Sequence, residues 1–412
     1  MFRMLTKVAC LATLAVSTFS AATPTTLAQA LNHNRHAIAL SPEGLTGNGG
    51  RIVADAVRRA NTVAIGEMRL TREIPQFSRA VCELMKPDLS AVIVESGAVA
   101  TRYVAGTLGR SDGRRGIAEL LTRFPDVVAF LNTEDEYDFV RRCATRARLI
   151  GIDQEFIGAA ALVLSEILDA KLSPETRQAF MDLQADDRRR TERALKSGNP
   201  SELTLPTSTP SDFDRYARLL DGVSSTVRDD FDALRQTHDL VAMGIGGNEN
   251  WYATRAALMR RNLAALAPTG GRMLVKLGES HLYRHGHRSD GPGIGSDIVE
   301  RARKAGGSSL HILVLGRSGT RASFVGFARP LIEQSFALAD VIEFAWTTAA
   351  TQAAFATGWT MFDLRPLRAQ SIADLGSDWR GVIEGYDLLV IIPQTHAARS
   401  IRSGLRIKSS RK

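Results

Sequence analysis

The strongest constraint on this chain is a series of short, continuous apolar runs rich in β-branched residues: "TVAIG" (62–66), "SAVIVES" (90–96), "RLIGID" (148–153), "RMLVKLG" (272–278), "SLHILVLG" (309–316) and "DLLVIIP" (387–393). A strand that is apolar along its whole length must be covered on both faces, and helix-like segments separate these runs. The fold class they predict is α/β, with a mostly parallel central sheet and helices on both faces.

Between "LIGID" and "RMLVKLG" no convincing strand appears, which predicts a helical insertion, or cap, over about residues 160–245. Ser173, Pro174 and Glu175 make a good helix start, and the polar helix they open should stop at Gly198. The loop "GNPSELTLPTSTPSD" comes next. A second long helix is expected from near Ser211, with Phe213, Ala217, Leu220, Val223, Val227, Phe231 and Leu234 spaced at three and four. No internal repeat is visible.

At 44% hydrophobic and 23% charged residues over 412 positions, the composition suits one globular domain, here residues 31–400. The first 30 residues carry Arg3 and Lys7, an apolar run from Val8 to Phe19 and a small-residue "AQA", the pattern of a secretory signal peptide. A periplasmic or secreted location is the expectation, with no transmembrane segment in the mature chain. Residues 401–412 read as a basic, flexible tail. With the leader gone, Cys82 and Cys143 remain; they could pair in an oxidising compartment, but they read as separate, partly buried cysteines. The net charge of +8 comes without aromatic interleaving or a nucleic-acid module, so no nucleic-acid partner is expected. A small-molecule partner, anionic by the charge balance, is the alternative.

The chemistry lies just beyond the end of each run. "TVAIG" delivers Glu67, "SAVIV" delivers Glu95, "RLIGI" delivers Asp153 with Glu155 behind it, and "RMLVKLG" delivers Glu279 and His281. In a parallel sheet such ends share the edge at which open α/β folds bind ligands. Each acid alone could instead cap the helix after its strand, but their coincidence favours one site. Lys276, flanked by apolar residues, is either paired with an acid there or snorkels to the surface. Arg255 shares a helical stripe with Tyr252, Met259 and Asn262, so it points toward whatever that helix covers, as a structural ion pair or a substrate contact. His281, His285 and His287 invite a metal, but Gly and Pro after His285 predict a loop. His281 is therefore the site candidate, and His285 and His287 read as loop surface. His311 reads as a core histidine. Neither a G-x-S-x-G elbow, a P-loop, an H-E-x-x-H nor a C-x-x-C pair is present.

The stretches "GEMRLTREIPQF", "VIVESG", "IGIDQEFIG", "TRAALMRRNL", "MLVKLGESHLYR" and "GWTMFDLRPLR", in this order, resemble the superfamily of erythromycin esterase-like hydrolases, ChaN-like haem-uptake proteins and Tiki-type proteases. The resemblance implies that Glu67, Glu95, Arg255 and His281 occupy the functional pocket, and that ester hydrolysis there needs no metal. In the similar group the first motif has the form G-E-x-H-G-T-x-E. This chain has Arg69 at the histidine and Leu70 at the following glycine, and arginine can be neither a general base nor a metal ligand at neutral pH. Two readings are open. One is a hydrolase of ester or related acyl bonds with Glu67 or His281 as base, Glu95, Asp153 and Glu155 orienting it, and Arg69, Glu73, Arg255 and Lys276 contacting substrate. The other is a non-catalytic binding protein on the same scaffold for haem, a divalent metal or a small anion.

Overall fold

The six apolar runs become adjacent parallel strands in a nine-stranded sheet. The structure, a computed structural model, describes residues 25–286 and 293–401. In chain order the strands are β1 (Arg35–Ser41), β2 (Gly44–Thr46), β3 (Thr62–Glu67), β4 (Leu89–Gly97), β5 (Arg148–Asp153), β6 (Arg272–Gly278), β7 (Ser309–Gly316), β8 (Ser318–Ser323), β9 (Ile332–Ala337), β10 (Trp359–Asp363) and β11 (Leu388–Ile392). The sheet order is β2-β1-β10-β11-β7-β3-β6-β4-β5. Every residue of β3 and β11 is buried, as two covered faces require.

The antiparallel edge formed by β10, β1 and β2 is not foreshadowed by an apolar run, because β1 is half exposed. The separate β8–β9 hairpin is likewise partly exposed and was equally hidden in the sequence.

The helix Pro174–Ser197 starts on a Ser173 cap and ends at Gly198 in the left-handed conformation. The second long insertion helix is in fact two, Pro210–Leu219 and Ser225–Ile245, parted at Gly222 with φ 78°. Leu220 and Val223 lie in the break yet still pack on the core, so the apolar spacing runs across it unchanged. The insertion reaches the sheet through the helix Trp251–Leu266, which lies against β5.

Residues 1–24 and 402–412, which hold most of the expected leader and tail, lie outside the described residues. The boundary at residue 30 falls inside a helix, Leu27–His33, whose Leu27, Ala30 and Leu31 are buried. Among the described residues no helix is long and apolar enough to cross a membrane.

Cys82 and Cys143 are not separate thiols: they form a disulfide between the helices Glu73–Met85 and Glu134–Ala144, with Cα atoms 5.9 Å apart. These helices pack side by side on one face of the sheet, a proximity that 61 residues of intervening sequence conceal. Closing a loop of that length restricts the unfolded chain by an amount worth on the order of 4 kcal/mol.

Candidate active-site cleft

The register places the ends of β3, β6, β4 and β5 side by side, with Glu67 opposite Gly278, and Lys276 opposite both Ile65 and Val94. Registered neighbours in a parallel sheet share a face, and successive residues alternate. Glu67 and Lys276 therefore point to the face covered by helices Glu73–Met85 and Glu134–Ala144. Glu95, one residue beyond Val94, turns the other way, toward the helix Trp251–Leu266. The acids expected to gather in one place consequently form two clusters.

The first cluster is sealed. The Lys276 ammonium lies 2.6 Å from Glu67 Oε2 and 2.6 Å from Glu136 Oε1, and all three side chains are buried. Burial opposes the charge on Lys276, but Glu136 and Glu67 outweigh it and raise its pKa. Two carboxylates share one cation, so the group carries an excess negative charge. Burial, reinforced by Glu67 against the pull of Lys276, pushes the Glu136 carboxyl up to about 7. Of the two possibilities for Lys276, pairing with acids is the one realised. Glu136 was missed from the sequence; its only signal is the helix start at Thr133, whose side chain accepts from the Glu136 N–H.

The second cluster is open. Glu95 is its centre: its oxygens accept from Arg69 Nη2, from Arg255 Nη2 at 2.6 Å and from the Gly278 N–H at 2.7 Å, and His281 Nε2 lies 3.5 Å away. Burial alone would raise the Glu95 carboxyl, but Arg69, His281 and Arg255 hold it well below the usual carboxylate range. Arg255 also grips Asp153 with two bonds, Nε to Oδ1 at 3.0 Å and Nη2 to Oδ2. On the same helical stripe Asn262 Nδ2 donates to the Ile152 carbonyl at 2.9 Å, so this face of the helix reads the end of β5. The Arg69 guanidinium lies over the Phe130 ring at 4.9 Å and so close to Gly278 that a Cβ there would collide with Nη2.

Two residues do not join either cluster. Glu155 is buried and caps the helix Ala98–Ala105, accepting from the Val99 N–H at 2.7 Å and the Ala100 N–H at 3.2 Å; burial pushes its carboxyl up to about 7. Glu73 begins its helix as expected but pairs with His396 at 2.8 Å, away from Glu95. For these two, the capping and surface roles of strand-end acids apply.

Above the second cluster opens a cleft of about 780 Å³, within the usual size of a small-molecule site. Arg69, Arg255, Glu279 and His281 line its floor; Trp251, Tyr252, Phe344 and Trp346 line its walls. Glu67, Glu136 and Lys276 do not reach it. Burial raises the Glu279 carboxyl, partly countered by Arg69. Tyr283 lines the cleft and packs edge-on against Tyr386, whose hydroxyl donates to the Glu279 carbonyl. Gly66 exists for that tyrosine, since a Cβ there would meet Tyr386 Oη at 2.5 Å. His285 lies in a different pocket with Arg284 and Arg368, and His287 lies outside the described residues. Among the described residues no group of three or more His, Cys, Asp or Glu is arranged to hold a metal. His311 is a core histidine, bonded to the Leu282 carbonyl at 2.8 Å and pushed down to about 3 by burial.

No protein-family model and no curated relative matches the chain. Solved structures do. An erythromycin esterase, captured as a histidine-to-asparagine mutant in its open conformation, aligns over 89% of this chain and 99% of its own at 15% identity and a TM-score of 0.56. The shared feature is the fold. A succinoglycan biosynthesis protein aligns over 90% of this chain and 97% of its own at 11% identity, also at 0.56. The haem-binding ChaN of Campylobacter jejuni aligns over 68% of this chain and 91% of its own at 10% identity, and its TM-score of 0.29 is too low to bear on fold or ligand.

Proposed function

We propose that the cleft hydrolyses an ester or related acyl bond, with His281 as the base. The observation that carries this reading is that His281, alone among the candidate bases named from the strand ends, both lines the cleft and touches the buried Glu95 carboxylate. Glu95 stays ionised and can only accept, so the imidazole presents Nε2–H to it and keeps Nδ1 free to take a proton from water. The hydroxide equivalent attacks the acyl carbon, and Arg255, which lines the floor, stabilises the oxyanion. Collapse expels the alcohol, which takes its proton back from His281 or from Glu279, whose raised pKa suits a donor. Glu67, neutralised by Lys276 and walled off from the cleft, is left out of this chemistry.

The test is a panel of chromogenic acyl esters with purified protein. His281→Ala should lower kcat/KM by about 10²–10⁴-fold with its unfolding midpoint unchanged. Full turnover in that variant would sink the assignment. Arg69→His should raise activity, because the histidine of the similar proteins would then stand beside Glu95.

A second reading, ligand binding without catalysis, is favoured by one specific observation: Arg69, a permanent cation, occupies the Glu95 carboxylate more closely than His281 does. A stoichiometric Soret band or bound metal in the purified protein, together with no ester turnover in the wild type or in Arg69→His, would establish it.

A further inference from the structure

On the face of the sheet opposite the cleft, the N-terminal ends of the helices Glu73–Met85 and Glu134–Ala144 border a pocket of about 180 Å³. It is smaller than the roughly 300–1,000 Å³ of a drug-sized site, and its lining is overwhelmingly polar. Arg72, Arg79, Arg399, Asp135, Asp138 and Phe139 contribute to it.

The charges in it do not cancel. Asp138 is taken by Arg114 at 2.5 Å, and Arg399 by Glu134 at 3.0 Å. Neither Arg72 nor Arg79 has a carboxylate in ion-pair reach among the described residues, which leaves two guanidiniums against Asp135. Two residues that line the pocket each carry a buried polar atom without a hydrogen-bond partner, Arg72 Nε and Asp135 Oδ2. A guanidinium with an unmet donor and no carboxylate in ion-pair reach keeps a charge that nothing in the pocket cancels. Both helices direct the positive ends of their dipoles to this region. Burial raises the Asp135 carboxyl, which weakens the negative charge that faces an incoming anion.

We propose that this pocket binds a small tetrahedral oxyanion of the phosphate or sulfate class, held by Arg72 and Arg79 with Arg399 at its rim. One anion balances the excess positive charge and accepts from the guanidinium groups of Arg72 and Arg79. The site is independent of the cleft, since helices on opposite faces of the sheet build the two.

The test uses the full chain at constant ionic strength, with chloride replaced stepwise by inorganic phosphate or sulfate. The unfolding midpoint should rise and saturate, and calorimetry should give one site. Arg79 is exposed on its helix, so Arg79→Ala should fold normally and bind at least about tenfold more weakly, one lost charge-assisted contact being worth roughly 1.5–3 kcal/mol. Asp135→Asn, which removes the opposing charge, should bind more tightly. A shift that never saturates, or one that is equal in wild type and in Arg79→Ala, overturns the proposal. Glycerol phosphate then separates two sources of the same chemistry: equal affinity assigns a phosphomonoester, and loss of affinity assigns the free ion.

Discussion

Two charge clusters stand within a few strand ends of each other, and they are built from the same residue types to opposite purposes. Glu67, Lys276 and Glu136 are sealed between sheet and helices, with each carboxylate 2.6 Å from one ammonium. Glu95, Arg69, Arg255, Asp153 and His281 are nearly as buried at their centre but open onto a cleft. The sealed cluster has a carboxylate too many and is shut off from solvent; the open one gives its central carboxylate two guanidiniums, a backbone N–H and an imidazole. Charge at a strand end thus marks a binding edge only when the face it points to is left uncovered.

The difference is sharpest when one cation is removed. Lys276→Met strands two carboxylates in a dry interior, and breaking a buried ion pair from one side costs about 3–5 kcal/mol. Denaturant unfolding should show that loss, or outright failure to fold. Any surviving folded fraction should keep the ester turnover proposed for the cleft, because Lys276 does not line it.

The two clusters should also carry opposite pH signatures. Glu136 is raised in the folded protein from an ordinary 4.5 to about 7, so the native state holds a proton that the unfolded chain has released. Stability from this group is therefore lost as pH rises from about 4.5 to about 7, on the order of 3 kcal/mol if the group titrates alone. Glu95 is depressed, so its contribution is present above the ordinary glutamate value and lost as pH falls through its lower folded pKa. Measured by unfolding across that range, Glu136→Gln should flatten the neutral side relative to wild type and leave the acid side alone. Glu95→Gln should do the reverse. Identical profiles for the two variants would erase the distinction between the clusters.

Arg255→Met probes the open side directly. Glu95 keeps Arg69 and the Gly278 N–H, Asp153 keeps the Gln154 N–H at 2.8 Å, and water from the cleft can solvate both. The expected loss is about 1–2 kcal/mol, below that of a sealed pair. A loss as large as that of Lys276→Met would mean that the cleft gives Asp153 no access to solvent.

How much of this the sequence discloses depends on which interaction fixes each feature. The parallel strands were legible because full burial dictates composition, and β3, β4, β5, β6, β7 and β11 all lie where their apolar runs do. Arg255 was legible because a 3.6-residue period shows which way a helix residue points. The split between Glu67 and Glu95 was not, since it rests on inter-strand register, and a difference of one residue there reverses the face. Glu136 and the Cys82–Cys143 bridge depend on which helices become neighbours on a face, and local pattern does not carry that information. Glu155 shows the remaining ambiguity: a strand-end acid that reads as a site residue is in fact a helix cap.

The smallest effect concerns the turn that parts the clusters. Glu67 ends β3 on the sealed side, Arg69 reaches Glu95 on the open side, and Leu70 comes next with φ 67°, a left-handed conformation that L-residues other than Asn and Asp rarely adopt. Glycine is the residue that adopts this backbone without strain. Two bonds hold Leu70 there, because its carbonyl accepts from the Ala322 N–H at 2.9 Å and the Ala398 N–H at 3.0 Å. Left-handed strain costs a residue with a Cβ about 1–2 kcal/mol, whereas glycine forfeits about 0.5–1 kcal/mol of unfolded-state entropy. The strain outweighs the entropy, so Leu70→Gly should stabilise the protein by about 0.5–1 kcal/mol in denaturant unfolding. Because Arg69 is set by that same turn, the variant should leave both pH signatures in place. If it instead destabilises the protein and weakens the acid-side dependence that belongs to Glu95, then the leucine side chain itself braces Arg69, and the open cluster owes its geometry to packing rather than to the turn.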